Sequence, residues 1–428
     1  MAEKVVSPGV FTNEIDASFL PAAIGDIGAV VIGQTRKGPA MIPTVVNSMA
    51  EFEATFGTTF RSGSNYYQYL TSHAAENYLS NGGPLTVVRV GTQTAATAPL
   101  QDADKDGSCL TIETIADGVV LNNSSSDGTN GVLVSGSNDN YRVEIAGVNN
   151  ARGTFNLLVR SGQDTIKRKN VLESFNNVSL DPNSNNYVAR IVGDQDFSIQ
   201  GTTAEPYVKP EGDFPNKSKY IRIKTVHQPT PNYLDENGDI TSNALSASLP
   251  AAQSSSFSGA GAGLSDFDLF GNHLGSSAKK PAGFYDSIES DNNQGLDGSD
   301  AVDTYKKAIN LMANADEYDI NLMLLPGLNL ENDSAVIQTA IDVCESRADA
   351  FLIADPVNYG SSVSTVTTQA DSIDSNYAAV YWPWVQIQDA RNNGAYRWVP
   401  PSVVLGGVYA FNDKVAHPWF APAGLNRG

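Results

Sequence analysis

The chain has 428 residues, of which 41% are hydrophobic and 17% charged, as in a folded protein of two or three domains. Its 47 acidic and 27 basic residues give a formal net charge of −20, which repels phosphate backbones and argues against nucleic-acid binding. No apolar run approaches the roughly 20 residues that a membrane helix needs, and the first residues lack a signal-peptide pattern. We therefore expect a protein made and kept in a cytoplasm, without membrane insertion. The two distant cysteines, Cys109 and Cys344, exclude a disulfide scaffold and argue against a cysteine-based zinc site.

The chain opens with "KVVSPGVFTNEIDASFLP", which contains apolar residues but has neither a helical period nor a capping box. Pro8 and Pro21 bracket an extended stretch, since proline restricts coiling into a helix. A segment without its own core is suited to pair its backbone with an exposed sheet edge on another molecule. We predict an extended arm at residues 1–21, with an ordinary frayed terminus as the alternative. Its candidate interface residues are Val10, Phe11 and Ile15.

The segment after the arm has α/β character. The glycine-flanked apolar run at 27–32 predicts a buried strand. Ser48 and Glu51 form a capping box for a helix that Gly57 can end. "PLTVVRV" predicts another buried strand, after a second helix. The predicted apolar face of that second helix is Tyr66, Tyr69, Leu70, Ala74 and Tyr78.

The composition changes from about residue 92. Thr, Asp, Gly, Ser and Asn dominate residues 92–138, with short β runs, and "YRVEIA" and "TFNLLVR" predict a hairpin. A helix is predicted from about Ser184. Residues 228–282 carry no strong period and indicate long loops or a small appended lobe.

Alternating helices and strands return near residue 297. "DINLMLLPG", "DAFLIADP" and "YAAVYWPWV" predict strands. One helix is predicted before the first of these strands. A second helix follows that strand, with Asp333 or Ser334 as its cap, and a third is predicted at "PPSVVLGGVYAFND", with Pro401 near its first turn. The repeated order predicts a largely parallel sheet covered by helices. We therefore expect a discontinuous α/β core domain, residues 22–91 and 283–428, interrupted by a β-rich insertion at 92–282.

One short segment matches the calcium loop of an EF-hand. In "DADKDGSCLTIE" the carboxylates of Asp102, Asp104, Asp106 and Glu113, with Gly107, have the spacing that gathers oxygen ligands around Ca²⁺. The flanking segments are not amphipathic helices, so a solvated acidic turn is the competing interpretation. We predict no resident metal or cofactor.

Catalytic motifs are missing from the sequence. It contains no GxSxG elbow, HExxH pair or P-loop. A triad built from distant residues stays open, because triads are defined by geometry. The histidines, none paired at i, i+4, are His73, His227, His273 and His417. We predict that the protein is not an enzyme.

The aromatic segment "YWPWV", with Trp398 and Trp419, has two interpretations. Exposed rings of this kind can form a platform for sugars. Core packing around a strand is the simpler explanation.

Several segments together resemble the contractile phage tail sheath proteins. "SPGVFTNEID", "GAVVIGQTRKGPAMIPTVVNSMAEFEATFG" and "GPLTVVRV" are similar to the start of that family, with its PGV-type arm and Gly-Pro-Ala turn. "TFNLLVR" and "VLESFNNVSLDPNSNNYV" resemble its β insertion. "YAAVYWPWV", "WVPPSVVLGGVYAFND" and "APAGLNRG" resemble the end of its α/β core. The resemblance covers about residues 5–90, 141–192 and 297–428, and the order of the motifs makes it specific.

The resemblance implies a core of subtilisin-like shape. No G-T-S-M-A-type nucleophile segment is present, so no protease activity is implied. Within the insertion, residues 139–199 are family-like, whereas 92–138 and 200–282 are variable and expected to face outward, with a division into two lobes as an open alternative. In the family, "APAG-NRG" is followed by a C-terminal domain and arm, so the resemblance implies that this chain lacks that domain.

The resemblance also implies a function. It is that of a structural subunit that polymerises helically around a tail tube and contracts to drive the tube through the host envelope for genome ejection. The implied partners are further copies of the chain, the tail tube protein, and baseplate and tail terminator proteins. The implied location is the virion tail, after assembly in the cytoplasm of the host bacterium.

Other functions stay open. The sheath of a phage-derived bacteriocin or secretion device is the nearest alternative. A receptor- or sugar-binding tail protein and a hydrolase of the α/β core are further ones.

Overall fold

The computed structural model describes residues 28–62, 65–123, 139–261, 298–391, 393–415 and 420–424. The predicted arm, with Val10, Phe11 and Ile15, lies outside these residues. The helices are α1 Met49–Phe56, α2 Leu70–Leu79, α3 Val188–Val192, α4 Asn243–Ala247, α5 Gly298–Leu311, α6 Leu330–Arg347, α7 Val363–Ala370 and α8 Ser402–Val415. The strands are β1 Gly28–Gly33, β2 Thr44–Val46, β3 Phe60–Ser62, β4 Asn65–Tyr67, β5 Leu85–Arg89, β6 Ala95–Gln101, β7 Ser108–Asp117, β8 Tyr141–Asn149, β9 Thr154–Ser161, β10 Val171–Ser179, β11 Asp196–Gly201, β12 Pro206–Glu211, β13 Ile221–Val226, β14 Gln253–Ser256, β15 Ile320–Asn329, β16 Phe351–Asp355, β17 Ala378–Val380, β18 Val385–Asp389 and β19 Ala395–Val399. No helix in these ranges is long and apolar enough to cross a membrane.

A six-stranded sheet in the order β17-β16-β15-β1-β5-β2 draws its strands from both sides of the predicted insertion. The pairs from β17 to β5 are parallel, and β2 joins β5 antiparallel. We call residues 22–91 and 283–428 the core, and residues 92–282 the insertion. The mixed α/β character predicted for the core is confirmed, whereas its subtilisin-like shape stays a prediction.

The sheet separates two apolar clusters. Val30 and Ile32 of β1 enter the cluster that contains residues of α5 and α6. Ala29 and Val31 enter the cluster that contains residues of α1, α2 and α8. Because alternate strand residues point to opposite faces, a strand covered on both faces must be apolar throughout, and β1 and β5 are buried along their whole length.

The ends of α1 follow from local chemistry. The Ser48 Oγ accepts a hydrogen bond from the Glu51 N–H at 3.2 Å, as predicted. The Glu51 carboxylate reaches back to the N–H of Asn47 at 3.0 Å, one residue before the position of an ideal capping box. Gly57 ends the helix with φ of +70°.

Two predicted helix starts were wrong. Tyr66 lies in β4, paired with Arg61 of β3, so α2 begins only at Leu70. Helix α6 begins earlier, at Leu330, where the Asn329 side chain accepts from the Asn332 N–H at 3.0 Å, and the predicted cap Asp333 lies at a kink with a non-helical φ of −122°. Strand pairing of Tyr66 delays the start of α2, and the Asn329 side chain provides an earlier cap for α6.

The strand predicted at "YAAVYWPWV" was also too long. Only Ala378–Val380 pairs with the sheet, whereas Val385–Asp389 forms an antiparallel hairpin with β19. A prolyl residue, Pro383, stands between the two, and proline has no N–H for a central ladder.

The insertion is built from antiparallel sheets. A four-stranded sheet β10-β9-β8-β14 and a three-stranded sheet β13-β7-β6 contribute to a third apolar cluster. The predicted β8–β9 hairpin is confirmed. The helix expected from Ser184 is only Val188–Val192, and the stretch predicted as loops contains α4 and β14.

The first and last described segments of the insertion lie side by side. Thr97 and Ser258 exchange two backbone hydrogen bonds of 2.8 and 3.0 Å. The N–H of Gly261 donates to the Thr94 Oγ1 at 2.7 Å. The described ends of the insertion, at Thr94 and Gly261, are therefore neighbours.

Candidate functional site

The described part of the insertion is bonded to the core where β1 and β5 end. Arg89, the last residue of β5, has no exposed surface, and its Nη1 donates at 2.8 Å to the carbonyl oxygens of Gly38 and Asp117. The Asp117 N–H donates to the same Gly38 oxygen at 3.0 Å, and its carboxylate accepts from the Ala40 N–H at 2.7 Å. We call the loop 34–40 together with Arg89, Asp117 and Asp139 the joint.

Burial shifts the charged groups of the joint in opposite directions. It lowers the pKa of Arg89 to about 10, opposed by the charge of Asp117. It raises the pKa of Asp117 to about 6, opposed by the Ala40 N–H and the charge of Arg89. Both groups are therefore charged at neutral pH, and each charge stabilises the other in the protein interior.

Side chains of the loop 34–40 also contact the insertion. Arg36 forms an ion pair with Asp139, and its Nη1 donates to the Thr59 carbonyl at 2.7 Å. The Lys37 Nζ lies 5.9 Å from the centre of the Tyr141 ring. Burial lowers the pKa of Lys37, with Asp139 opposing that shift.

The glycine of the Gly-Pro-Ala turn is required by this geometry. Gly38 has φ of +111°, and a Cβ there would lie 2.5 Å from Cδ1 of Phe56. The "QTRKGPA" segment, which contributed to the family resemblance, thus forms the loop of the joint. The sequence alone did not indicate this role, because its partners at positions 89, 117 and 139 are distant in the chain.

The structure does not gather the predicted calcium ligands. Asp102 follows β6, where its carboxylate accepts from the Asp106 N–H at 3.2 Å and from Gln228 at 3.0 Å. Glu113 lies within β7 and pairs with Arg222 at 2.7 Å and Lys224 at 2.6 Å. In the described ranges no three His, Cys, Asp or Glu residues form a group that could hold a metal ion. Asp104, the remaining predicted ligand, lies in the turn between β6 and β7.

A serine and an aspartate meet at the carboxyl end of β16. The Ser402 N–H and Oγ donate to the Asp355 carboxylate at 3.0 and 2.5 Å. Burial raises the pKa of Asp355 to about 7, opposed by these two hydrogen bonds. Ser402 has no exposed surface and begins α8, so the pair caps a helix and offers no accessible nucleophile.

The two described histidines lie elsewhere. His73 is buried in α2, where burial lowers its pKa and its Nε2 has no hydrogen-bond partner. His227 contacts the Thr111 Oγ1 at 2.9 Å in the insertion. Neither hydrogen-bonds to the Ser402–Asp355 pair. The described residues therefore bring together no Ser-His-Asp arrangement.

The aromatic segment is used mainly for packing. Trp384 is buried and donates its Nε1–H to a main-chain carbonyl oxygen at 3.1 Å. The ring of Tyr359 lies 5.6 Å from that of Trp384 and 5.4 Å from that of Trp398. Trp382 remains 46% exposed, and Trp419 lies outside the described residues.

Sequence reasoning missed a buried ion network in the insertion. Arg160 donates to Asp164 at 2.6 and 2.8 Å and to Glu144 at 2.8 Å. Arg142, its cross-strand neighbour, is fully buried 3.7 Å from Asp164. Lys169 reaches the other oxygen of Glu144 at 2.6 Å. The available signal was an arginine in each strand of the predicted β8–β9 hairpin, since a buried arginine needs a carboxylate.

Comparison with known proteins finds similar segments in two curated proteins. No family model matches the chain. The chain is 26% identical over 142 residues to the tail sheath protein of Enterobacteria phage T4, which covers 28% of this chain and 21% of that protein. It is 37% identical over 76 residues to the tail sheath protein of Vibrio phage KVP40, which covers 17% of this chain and 10% of that protein. The matched part thus spans about a fifth of one curated relative and a tenth of the other.

Among solved structures, a sheath tail protein from Listeria innocua aligns with 92% of this chain and 58% of its own, at a TM-score of 0.45 and 11% identity. The similarity in sequence is confined to the two matched segments, and in these segments the chain is similar to phage tail sheath proteins.

Proposed function

We propose that the chain is a structural subunit of a contractile tail sheath. The observation that carries this proposal is its sequence match to two phage tail sheath proteins. Copies would polymerise helically around the tail tube in a metastable extended state. They would then move as rigid bodies into a shorter, wider arrangement and drive the tube through the host envelope for genome ejection.

The proposed division of the chain follows this role. Residues 1–21 form the arm, residues 22–91 with 283–428 the core, and residues 92–282 the insertion. The arm adds as a strand to a sheet edge of a neighbouring copy, with Val10, Phe11 and Ile15 as its contact residues. Such tethers keep neighbours joined while the interfaces between them change.

The work of contraction comes from the difference in interface free energy between two helical states, so the role needs no catalysis. The buried Ser402–Asp355 cap supports this, because its hydroxyl is inaccessible. The proposed partners are further copies of the chain, the tail tube protein, and the baseplate and tail terminator proteins. The proposed location is the virion tail, assembled in the bacterial cytoplasm.

The nearest alternative is the sheath of a phage-derived bacteriocin or secretion device. It uses the same subunit chemistry, so the neighbouring genes discriminate the two: capsid genes favour a virion. A sugar-binding tail protein is less favoured, because Trp384 and Trp398 are occupied by packing against Tyr359.

Electron microscopy of the protein, alone and mixed with its tube protein, tests the proposal. We expect tubular polymers of regular pitch in at least the mixture. Replacing Val10 and Phe11 by aspartate removes apolar contacts of the arm and should abolish the tubes. The matched control is Ile166→Asp, at an exposed residue of the insertion, which should leave them intact. Absence of any tube from both wild-type samples would overturn the proposal.

A further inference from the structure

The hairpin formed by β11 and β12 belongs to the insertion but lies on the core. Strand β12 contacts helix α5. Ile199 and Val208, which face each other across the hairpin, are half-buried against the apolar cluster to which α5 contributes. At the turn of the hairpin, the Asn310 Nδ2 of α5 donates to the Thr203 carbonyl at 2.7 Å. One face and the tip of the hairpin are thus held by the core.

The base of the hairpin is tied firmly to the rest of the insertion. Arg222 of β13 pairs with Asp196 at 2.9 Å and with Glu113 at 2.7 Å. The Phe214 N–H donates to the Asp194 carboxylate at 2.7 Å, and the Asp194 N–H donates to the Phe214 carbonyl at 3.1 Å. The base of the hairpin is therefore bonded to β7, β13 and the segment around Phe214.

The hairpin extends from the joint toward the opposite end of the sheet, because Asp196 at its base interacts with the Asp117 carboxylate of the joint whereas Thr203 at its tip bonds to Asn310. The joint lies where the parallel strands β1 and β5 end. Helix α5 ends at Leu311 and β15 begins at Ile320, so Asn310 lies toward the end where the parallel strands begin. A unit attached at one end only can swing about its attachment, whereas attachment at both ends removes that freedom.

We propose that the β11–β12 hairpin is a strap that locks the insertion to the core, so that the two turn as one body. The lock is a property of the single subunit. Its use, to pass the rotation of the core to the outer surface during contraction, rests on the proposed function.

Single-molecule energy transfer in the isolated protein tests the lock. Dyes on Lys167→Cys in the insertion and Ser364→Cys in the core report their separation, because both positions are exposed and the native cysteines are buried. The strap variant combines Ile199→Ser, Val208→Ser and Asn310→Ala. The control is Tyr207→Ser, on the outward face of the same hairpin and 55% exposed.

We expect one narrow distribution for the wild type and the control, and a distribution about twofold wider for the strap variant, as local release of a packed element allows. An equally narrow distribution in the folded strap variant would overturn the lock. If that variant does not fold, Asn310→Ala alone should speed hydrogen exchange of the β11 and β12 amides, and unchanged exchange would overturn it too. Neither readout depends on polymer formation, so failure of the lock is distinguishable from failure of the sheath proposal.

Discussion

The core and the insertion bury different chemistry. In the core, β1 and β5 are buried along their length between two apolar clusters. In the insertion, apolar residues of β8 and β9 enter one cluster. Arg142 of β8 and Arg160 of β9 form a buried ion network with Asp164. Apolar burial is non-directional, whereas a buried ion pair fixes which strand positions face each other. Removing the charge of Asp164 is therefore expected to disturb the insertion before the apolar clusters of the core.

The largest expected effect is at the centre of the ion network. Asp164→Asn leaves Arg160 and Arg142 buried beside a neutral partner, which costs about 3–5 kcal/mol. All four tryptophans lie in the core, so their fluorescence reports the core, while far-UV circular dichroism reports the whole chain. We expect the dichroism transition in urea to begin before the fluorescence transition. Coincident transitions with unchanged midpoints would contradict the contrast between the two regions.

The control for this substitution is an exposed ion pair of the insertion. Lys209 and Glu211 are 2.8 Å apart with about half of each side chain exposed. Exposed pairs contribute little, so Lys209→Ala should produce no measurable shift of either transition.

The second effect is a cavity in the core. Leu324 of β15 has no exposed surface and lies in the cluster shared with α2 and α8. Leu324→Ala should lower the free energy of unfolding by about 2–5 kcal/mol, with the loss visible in tryptophan fluorescence. Leu324→Met conserves volume and should cost less than about 1.5 kcal/mol. Equal losses for the two variants would show that this site is not close-packed.

The third effect depends on pH and tests a polar group of the core. The pKa of Asp355 is raised to about 7 by burial, so the folded state holds a proton that the unfolded state releases near pH 4. The contribution of protonated Asp355 to the free energy of unfolding is fully present below about pH 4. It is lost as the pH rises through about 7, with a slope of up to about 1.4 kcal/mol per pH unit. Asp355→Asn keeps the shape of the side chain but removes the group that ionises.

The measurement is urea unfolding of Asp355→Asn and wild type at pH 5, 6, 7 and 8. The stability of the variant relative to wild type should increase across this range. Parallel stability curves would mean that Asp355 stays ionised in the fold.

The smallest effect is at a helix end. Ser48→Ala removes the side-chain acceptor for the Glu51 N–H and should cost about 1 kcal/mol, seen as a small shift of the fluorescence midpoint. Ser362 caps α7 in the same way, through the Thr365 N–H at 3.2 Å, and Ser362→Ala is the matched comparison. A loss at Ser48 as large as that at Leu324 would show that α1 contributes to the core through more than its cap.

The sequence predicted best those elements whose cause is local. The β1 and β5 runs are buried at every position, and Ser48 and Gly57 mark both ends of α1. The β11–β12 hairpin was missed because its polar outer face and proline residues obscure the alternation, and its packing surface belongs to α5. A period in the sequence shows which face is buried but not against which distant element.

The candidate site was predictable only in part. The Gly-Pro-Ala segment was recognised by its resemblance, yet its partners Arg89, Asp117 and Asp139 had no signal of their own. The calcium spacing of Asp102 to Glu113 met the pattern but not its structural context, since Glu113 is bound to two cations across the sheet. The contact residues of the arm stay a prediction.

The adjacent segments of the insertion at Thr97 and Ser258 have a consequence for design and for evolution. A folded unit whose two ends already touch can be grafted at this point without spreading the host sheet. Such an exchange removes the contacts of the joint and of the strap together, so a replacement unit keeps a fixed orientation on the core only where it rebuilds both.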